Sequence, residues 1–75
     1  MDLFDIAARL DADEKLQLTY RFPVRSADGA VMHETRVGKL LDVAVESQRL
    51  YVNHDGQVVW VRLDEAVEVT PETEG

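Results

Sequence analysis

Cysteine is absent from these 75 residues, so neither a disulfide framework nor a thiolate metal site can staple the chain, and the composition suits a reducing cytoplasm. Long apolar runs are absent as well. Nothing approaches the roughly 18 apolar residues that a membrane-spanning helix needs, and the opening Met1-Asp2-Leu3-Phe4-Asp5 is acidic where a signal peptide would be basic. We therefore expect a soluble, cytoplasmic protein with no membrane partner. Positive charge is scarce: 8 Lys and Arg face 15 Asp and Glu, for a net charge of −7. Nucleic-acid affinity rests on Lys and Arg contacts to phosphate, so the balance argues against direct nucleic-acid binding. It is unevenly spread, with residues 20–41 carrying four bases against two acids while both flanks are acidic.

Catalytic apparatus is missing too. His33 and His54 are the only histidines and share no helical spacing, so a metal site built from them is not expected. Asp64 with Glu65, or Asp42 with Glu46, can be drawn as acid and base, yet no nucleophile, phosphate-binding loop or metal constellation accompanies them. The glycines at 29, 38 and 56 suit turns and a bend rather than a phosphate cradle. We expect a non-enzyme without a cofactor.

What is present centres on Arg49 to Leu63, RLYVNHDGQVVWVRL. Asp55-Gly56 between alternating apolar residues specifies a tight two-residue hairpin turn, because both residues tolerate positive φ. Closing there sets His54 opposite Gln57, Val52 opposite Val59, Tyr51 opposite Trp60 and Leu50 opposite Val61. Leu50, Val52, Val59, Val61 and Leu63 then share a core face, and Arg49, Tyr51, Val58, Trp60 and Arg62 share the other. Tyr51 and Trp60 admit two readings. They pack beneath another element, which is the default for a lone Trp, or they stand open as a platform for a base or a protein partner.

Before this hairpin, Asp2 caps a helix over about residues 2–12 with Leu3, Ile6, Ala7 and Leu10 on one face. From Leu16 the period changes to two, with Leu16, Leu18, Tyr20, Phe22 and Val24 alternating against polar residues; Pro23 places that end of the strand at an edge. Asp28-Gly29 signals a second turn, which as a two-residue turn sets Tyr20 opposite Val37 and Leu16 opposite Leu41, whereas a longer loop would shift that register. The return strand is long, with a bulge or bend expected at Gly38 and Val37, Leu41, Val43 and Val45 on its apolar face. A turn at Asp64-Glu65-Ala66, a short strand Val67-Glu68-Val69 and a disordered acidic tail over 71–75 complete a single domain over 1–70. A sheet this small cannot hide both faces, so we expect a mainly β fold with one N-terminal helix, closed as a small five-stranded SH3-like or Sm-like barrel.

LQLTYRF followed by DG, then VGKLLDV, then RLYVNHDGQVVWVRLDEAVEV resembles the Rof family, Rho-binding antiterminators built on an Sm-like barrel. The likeness spans Leu16 to Val69; the opening DLFDIAARL differs from the Cys-Asp-Tyr type of opening in that family. The resemblance implies an acidic barrel that occupies a basic nucleic-acid-binding protein such as Rho. A second likeness is to the WYL domain, echoed by Leu50-Tyr51-Val52 and Arg62-Leu63-Asp64 without the signature Trp, which implies a ligand-sensing module.

The composition and the resemblance lead to one main expectation: a regulatory protein that inhibits a nucleic-acid-handling protein, with Asp42, Glu46, Asp64, Glu65 and Glu68 as acidic contacts and Tyr51 and Trp60 as anchors. A phage-encoded inhibitor of the anti-CRISPR type, mimicking nucleic acid, shares that mechanism. The alternative from another class is an Sm-like RNA-binding or ring-forming module that uses Arg21, Arg25, Arg36 and Lys39 with Tyr51 and Trp60.

Overall fold

The computed structural model describes residues 1–72. Residues 73–75 of the expected tail lie outside the described residues. A helix, α1 (Leu3–Asp11), precedes five strands: β1 (Leu16–Arg25), β2 (Val31–Ala44), β3 (Arg49–His54), β4 (Gln57–Arg62) and, after a 3-10 turn at Leu63–Glu65, β5 (Ala66–Pro71). They form one antiparallel sheet in the order β4-β3-β2-β1-β5.

The helix begins and ends on side-chain and backbone chemistry within the segment. The Asp2 carboxylate accepts from the amides of Phe4 at 2.9 Å and Asp5 at 3.4 Å, satisfying two of the four orphan donors. At the other end Asp13 takes φ 60°, its amide donates to the Leu10 carbonyl, and the Glu14 amide donates to the Arg9 carbonyl. That is a Schellman cap with Asp where Gly is usual. The Arg9 guanidinium closes over it onto Glu14 at 2.8 Å, which raises the Arg9 pKa and lowers that of Glu14. Leu3 and Ile6 are buried against the inner face of the sheet, where Leu16, Leu18, Tyr20, Leu40, Leu50, Val52 and Val61 complete the core.

The β3–β4 hairpin matches the sequence expectation pair for pair, from His54↔Gln57 through Leu50↔Val61. Asp55 at φ 51° and Gly56 at φ 82° make the mirror-image turn that suits strand twist, and the Asn53 side chain accepts from the Gly56 amide at 3.0 Å.

The β1–β2 hairpin does not match. Tyr20 faces Arg36 and Leu18 faces Gly38, one residue away from the expected register. The closing pair is Ser26 and Ala30, with Ser26 N–H donating to Ala30 O at 2.8 Å and Gly29 N–H to Ser26 O at 3.0 Å, so three residues turn the chain rather than two. The slip moves β2 over by one side chain, and Val37 (51% exposed) and Leu41 (40% exposed) face outward instead of in. The reason lies opposite Leu18. A two-residue turn would bury the Lys39 ammonium there, at a cost of several kcal/mol for an unpaired charge. The observed register places Gly38 there, where even a Cβ would lie 2.9 Å from the Asn53 carbonyl oxygen.

Gly38 is thus a close approach, and the expected bulge falls nearby at Leu41, between Leu40↔Val52 and Asp42↔Tyr51. The bulge restores inward facing for Val43. Residues 31–39 of β2 pair with β1 and residues 39–44 pair with β3, so the strand changes partner at Lys39. Strand β5 reaches Pro71 rather than stopping at Val69, and the Glu72 amide still donates to the Lys15 carbonyl at 2.9 Å.

The sheet is not closed. β4 pairs only with β3, and β5 leaves β1 at Tyr20, so residues 21–25 pair only with β2. Pro23 lies on that free half as expected: the Glu72–Lys15 bond fixes odd residues of β1 as those that face β5, so the missing N–H of Pro23 points at an empty edge.

Candidate functional site

Two surfaces of opposite character emerge, and the candidate residues divide between them. On the outer face of the sheet, cross-strand pairing aligns Arg21 and Arg25 of β1, Lys39 of β2, Arg49 of β3 and Arg62 of β4. These are five of the eight Lys and Arg in the chain, all exposed, and Asp42 and Glu68 are the acids that the strands place among them. Arg36, grouped with them from sequence, is on the inner face. It stacks 4.0 Å over the Phe22 ring, pairs with Glu34 at 3.2 Å and approaches the buried Tyr20 hydroxyl. That approach lacks hydrogen-bond geometry, so the hydroxyl is left without a partner, and burial raises its pKa while Arg36 offsets part of the shift.

Tyr51 and Trp60 lie opposite one another on the outer face; Tyr51 is half-buried, while Trp60 is 51% exposed and Val58 64%. The Arg49 guanidinium sits 4.3 Å over the Trp60 ring, a cation–π contact that orients both groups. Arg49 and Arg62 are direct cross-strand neighbours, a like-charge pairing that costs stability unless relieved. Stacking relieves one and the Asp64 carboxylate, 3.0 Å from Arg62, relieves the other.

The second surface is one end of the molecule, where the start of α1, the 45–48 turn and the 3-10 turn meet. Two open grooves of about 380 and 500 Å³ share Gln48 and Leu63; the first is lined also by Met1, Asp2, Phe4 and Val45, the second by Ser47, Arg62 and Asp64. Gln48, at φ 55°, turns the chain, and its carbonyl accepts from the Leu63 amide at 3.0 Å, which ties the two turns together. Phe4 is 74% exposed here, because it lies off the Leu3-Ile6 stripe that faces the sheet. Asp2 lines the same groove, Asp5 follows Phe4 on α1, and Glu46 and Asp64 adjoin the lining residues Val45 and Leu63, the Asp64 carboxylate being paired with Arg62. Of the acids picked from sequence, Glu46 and Asp64 come together at this end. Asp42, whose carboxylate accepts from the Val43 amide at 2.8 Å, and Glu68 on β5 do not join them. Phe4, Asp2 and Asp5 escaped the sequence reading of the site, although a Phe outside the apolar stripe was a usable signal.

Glu65 belongs to a third groove of about 440 Å³, the seam between β4 and the free half of β1, lined by Phe22, Pro23, Val58, Val59, Trp60 and Val61 as well. Neither histidine joins a metal site. His33 is on the outer face opposite Pro23, His54 lies 3.4 Å from Asp55, and among the described residues no three His, Cys, Asp or Glu gather as metal ligands. No described helix is long and apolar enough to cross a membrane.

Comparison with known proteins adds no assignment: no family model, curated protein or solved structure matches the chain.

Proposed function

We propose that this chain is a non-enzymatic regulatory protein that docks its acidic end into the basic cleft of a nucleic-acid-handling protein and inhibits it. The observation that carries the reading is the exposed Phe4 in a groove that Asp2 also lines, with Asp5 next to it on the helix and Glu46 and Asp64 adjoining the lining residues Val45 and Leu63 in sequence, on a protein of net charge −7. Opposite charge steers the encounter and a desolvated aromatic holds it. The antiparallel order β4-β3-β2-β1-β5 with a bulged second strand supports an Sm-like reading of this open sheet, and the resemblance to the Rof family makes Rho the first target to try.

The test is affinity capture from nuclease-treated bacterial lysate at low and high salt, followed by titration of the captured protein. A basic protein retained at low salt, released at high salt and bound about tenfold or more weakly after Phe4→Ala with Glu46→Lys supports the reading. Recovery of RNA alone, or capture indifferent to salt and to both substitutions, overturns it.

A second reading is favoured by one contact, Arg49 over Trp60 beside Tyr51: a stacking platform for single-stranded RNA, flanked by Arg62, Lys39 and Arg21. Low-salt binding of a labelled oligouridylate that disappears on Trp60→Ala supports this alternative, and no binding at low salt removes it.

A further inference from the structure

The free edge of β4 is an unfilled backbone template. The Leu63 amide donates to Gln48, and the hairpin closes on His54 and Gln57, so Gln57, Val59 and Val61 exchange their backbone bonds with β3. Val58, Trp60 and Arg62 therefore turn their N–H and C=O groups to the open side. Other free edges are blunted. On β5 a bulge at Val67 breaks the register and Pro71 presents no N–H outward; on β1 the same is true of Pro23. The distal half of β2 is free, but none of the three grooves described above borders it. β4, with sequence QVVWVR, has no proline, no bulge and no acid.

The groove beside this edge has two walls of different chemistry. Of its lining residues Phe22, Val59 and Val61 belong to the inner face and Val58 and Trp60 to the outer, where Arg62 follows Trp60 by two residues on β4 and Arg21 and Arg25 flank Pro23 on β1. In a chain of net charge −7 the exposed Arg21 and Arg25 make the β1 side of this seam locally cationic, while Arg62 is paired with Asp64 and Glu65 is the groove's one lining acid.

We infer that the seam between β4 and the distal half of β1 receives an extended peptide of a partner protein, added to the β4 edge as a sixth strand, with apolar side chains facing in and acidic side chains facing out. An extended chain is the ligand that satisfies alternating N–H and C=O groups, and period-two side chains meet an apolar wall and a cationic rim in turn. The site lies apart from the acidic end, so it takes a second partner or a second segment of the same one.

A fluorescein-labelled peptide alternating Val with Asp over eight residues tests this by anisotropy, with the Val/Lys peptide as its counterpart. The Val/Asp peptide binds, and the Val/Lys peptide binds at least about tenfold more weakly. Val58→Pro removes an outward N–H without breaking a β3 bond and weakens binding about tenfold or more. Arg21→Glu with Arg25→Glu, at exposed positions that make no side-chain hydrogen bond or ion pair among the described residues, does the same and keeps the test valid if the proline variant unfolds. Equal binding of both peptides, binding that survives the arginine reversals, or sedimentation showing the edge occupied by a second copy that the peptide cannot displace, each overturns the proposal.

Discussion

Two hairpins in this chain turn at an Asp-Gly pair, and they turn differently. At Asp55-Gly56 both residues take positive φ and the pair is the whole turn. At Asp28-Gly29 only the glycine does, at φ 88°; Ala27 joins the loop, and the Asp28 carboxylate accepts from the Ser26 hydroxyl and, at 3.0 Å, from the Ala30 amide. The same dipeptide thus closes an even loop in one place and an odd one in the other. Turn chemistry is local, but loop parity decides which face every residue of the following strand occupies. In β3–β4 the local preference and the burial pattern agree. In β1–β2 they conflict at Lys39, and burial prevails.

Substitutions can widen or close that contrast. The largest effect is expected from Leu18→Ala, which empties the core position opposite Gly38 and should lower unfolding free energy by about 3 to 4 kcal/mol in urea titration. Gly38→Ala follows at about 2 to 3 kcal/mol, because the new Cβ meets the Asn53 carbonyl at 2.9 Å and neither backbone can yield cheaply. If Gly38→Ala were tolerated at under about 0.5 kcal/mol, the account of the β1–β2 register would fail.

Gly29→Ala and Gly56→Ala should each cost about 1 kcal/mol, purely through positive φ, since nothing lies within 4 Å of either added Cβ. A cost at Gly29 much above that at Gly56 would mean that the three-residue loop is the stiffer one. Smallest is the effect of acid. Asp28 has its pKa lowered, first by the Ser26 hydroxyl and then by the Ala30 amide. Its contribution is therefore present above the unfolded carboxyl value near ~3.9 and lost as pH falls through the lower folded value. Asp28→Asn should flatten part of the stability loss below about pH 4 while leaving the β3–β4 hairpin unchanged by chemical shift.

The helix and its Asp2 cap, the β3–β4 register and the edge position of Pro23 were legible in the sequence, because each depends on residues within one turn or one strand of each other. The outward exposure of Val37 and Leu41 was not, because it follows from the odd loop. Burial was the default for Trp60, yet the ring is 51% exposed: α1 spends its apolar stripe on the inner face through Leu3 and Ile6, and no other described α-helix remains to cover the outer one. The acidic residues chosen from sequence were chosen by type, and only Glu46 and Asp64 share an end, since the 45–48 turn and the 3-10 turn are joined through Gln48 and Leu63.

By itself the sequence determined a capped helix, five strands, one tight hairpin down to its pairs, and an acidic whole. Those features arise from φ preferences, capping oxygens and period-two patterning, whose reach is a few residues. Tertiary structure decided the rest: which side of β2 faces in, that the sheet stays open between β4 and β1, and that five cations gather on one face while Phe4 stands out at the other end. These are questions of what can be buried opposite what, and Gly38 could take the place opposite Leu18 only because the Asn53 carbonyl of a strand 15 residues further on leaves no room for a side chain.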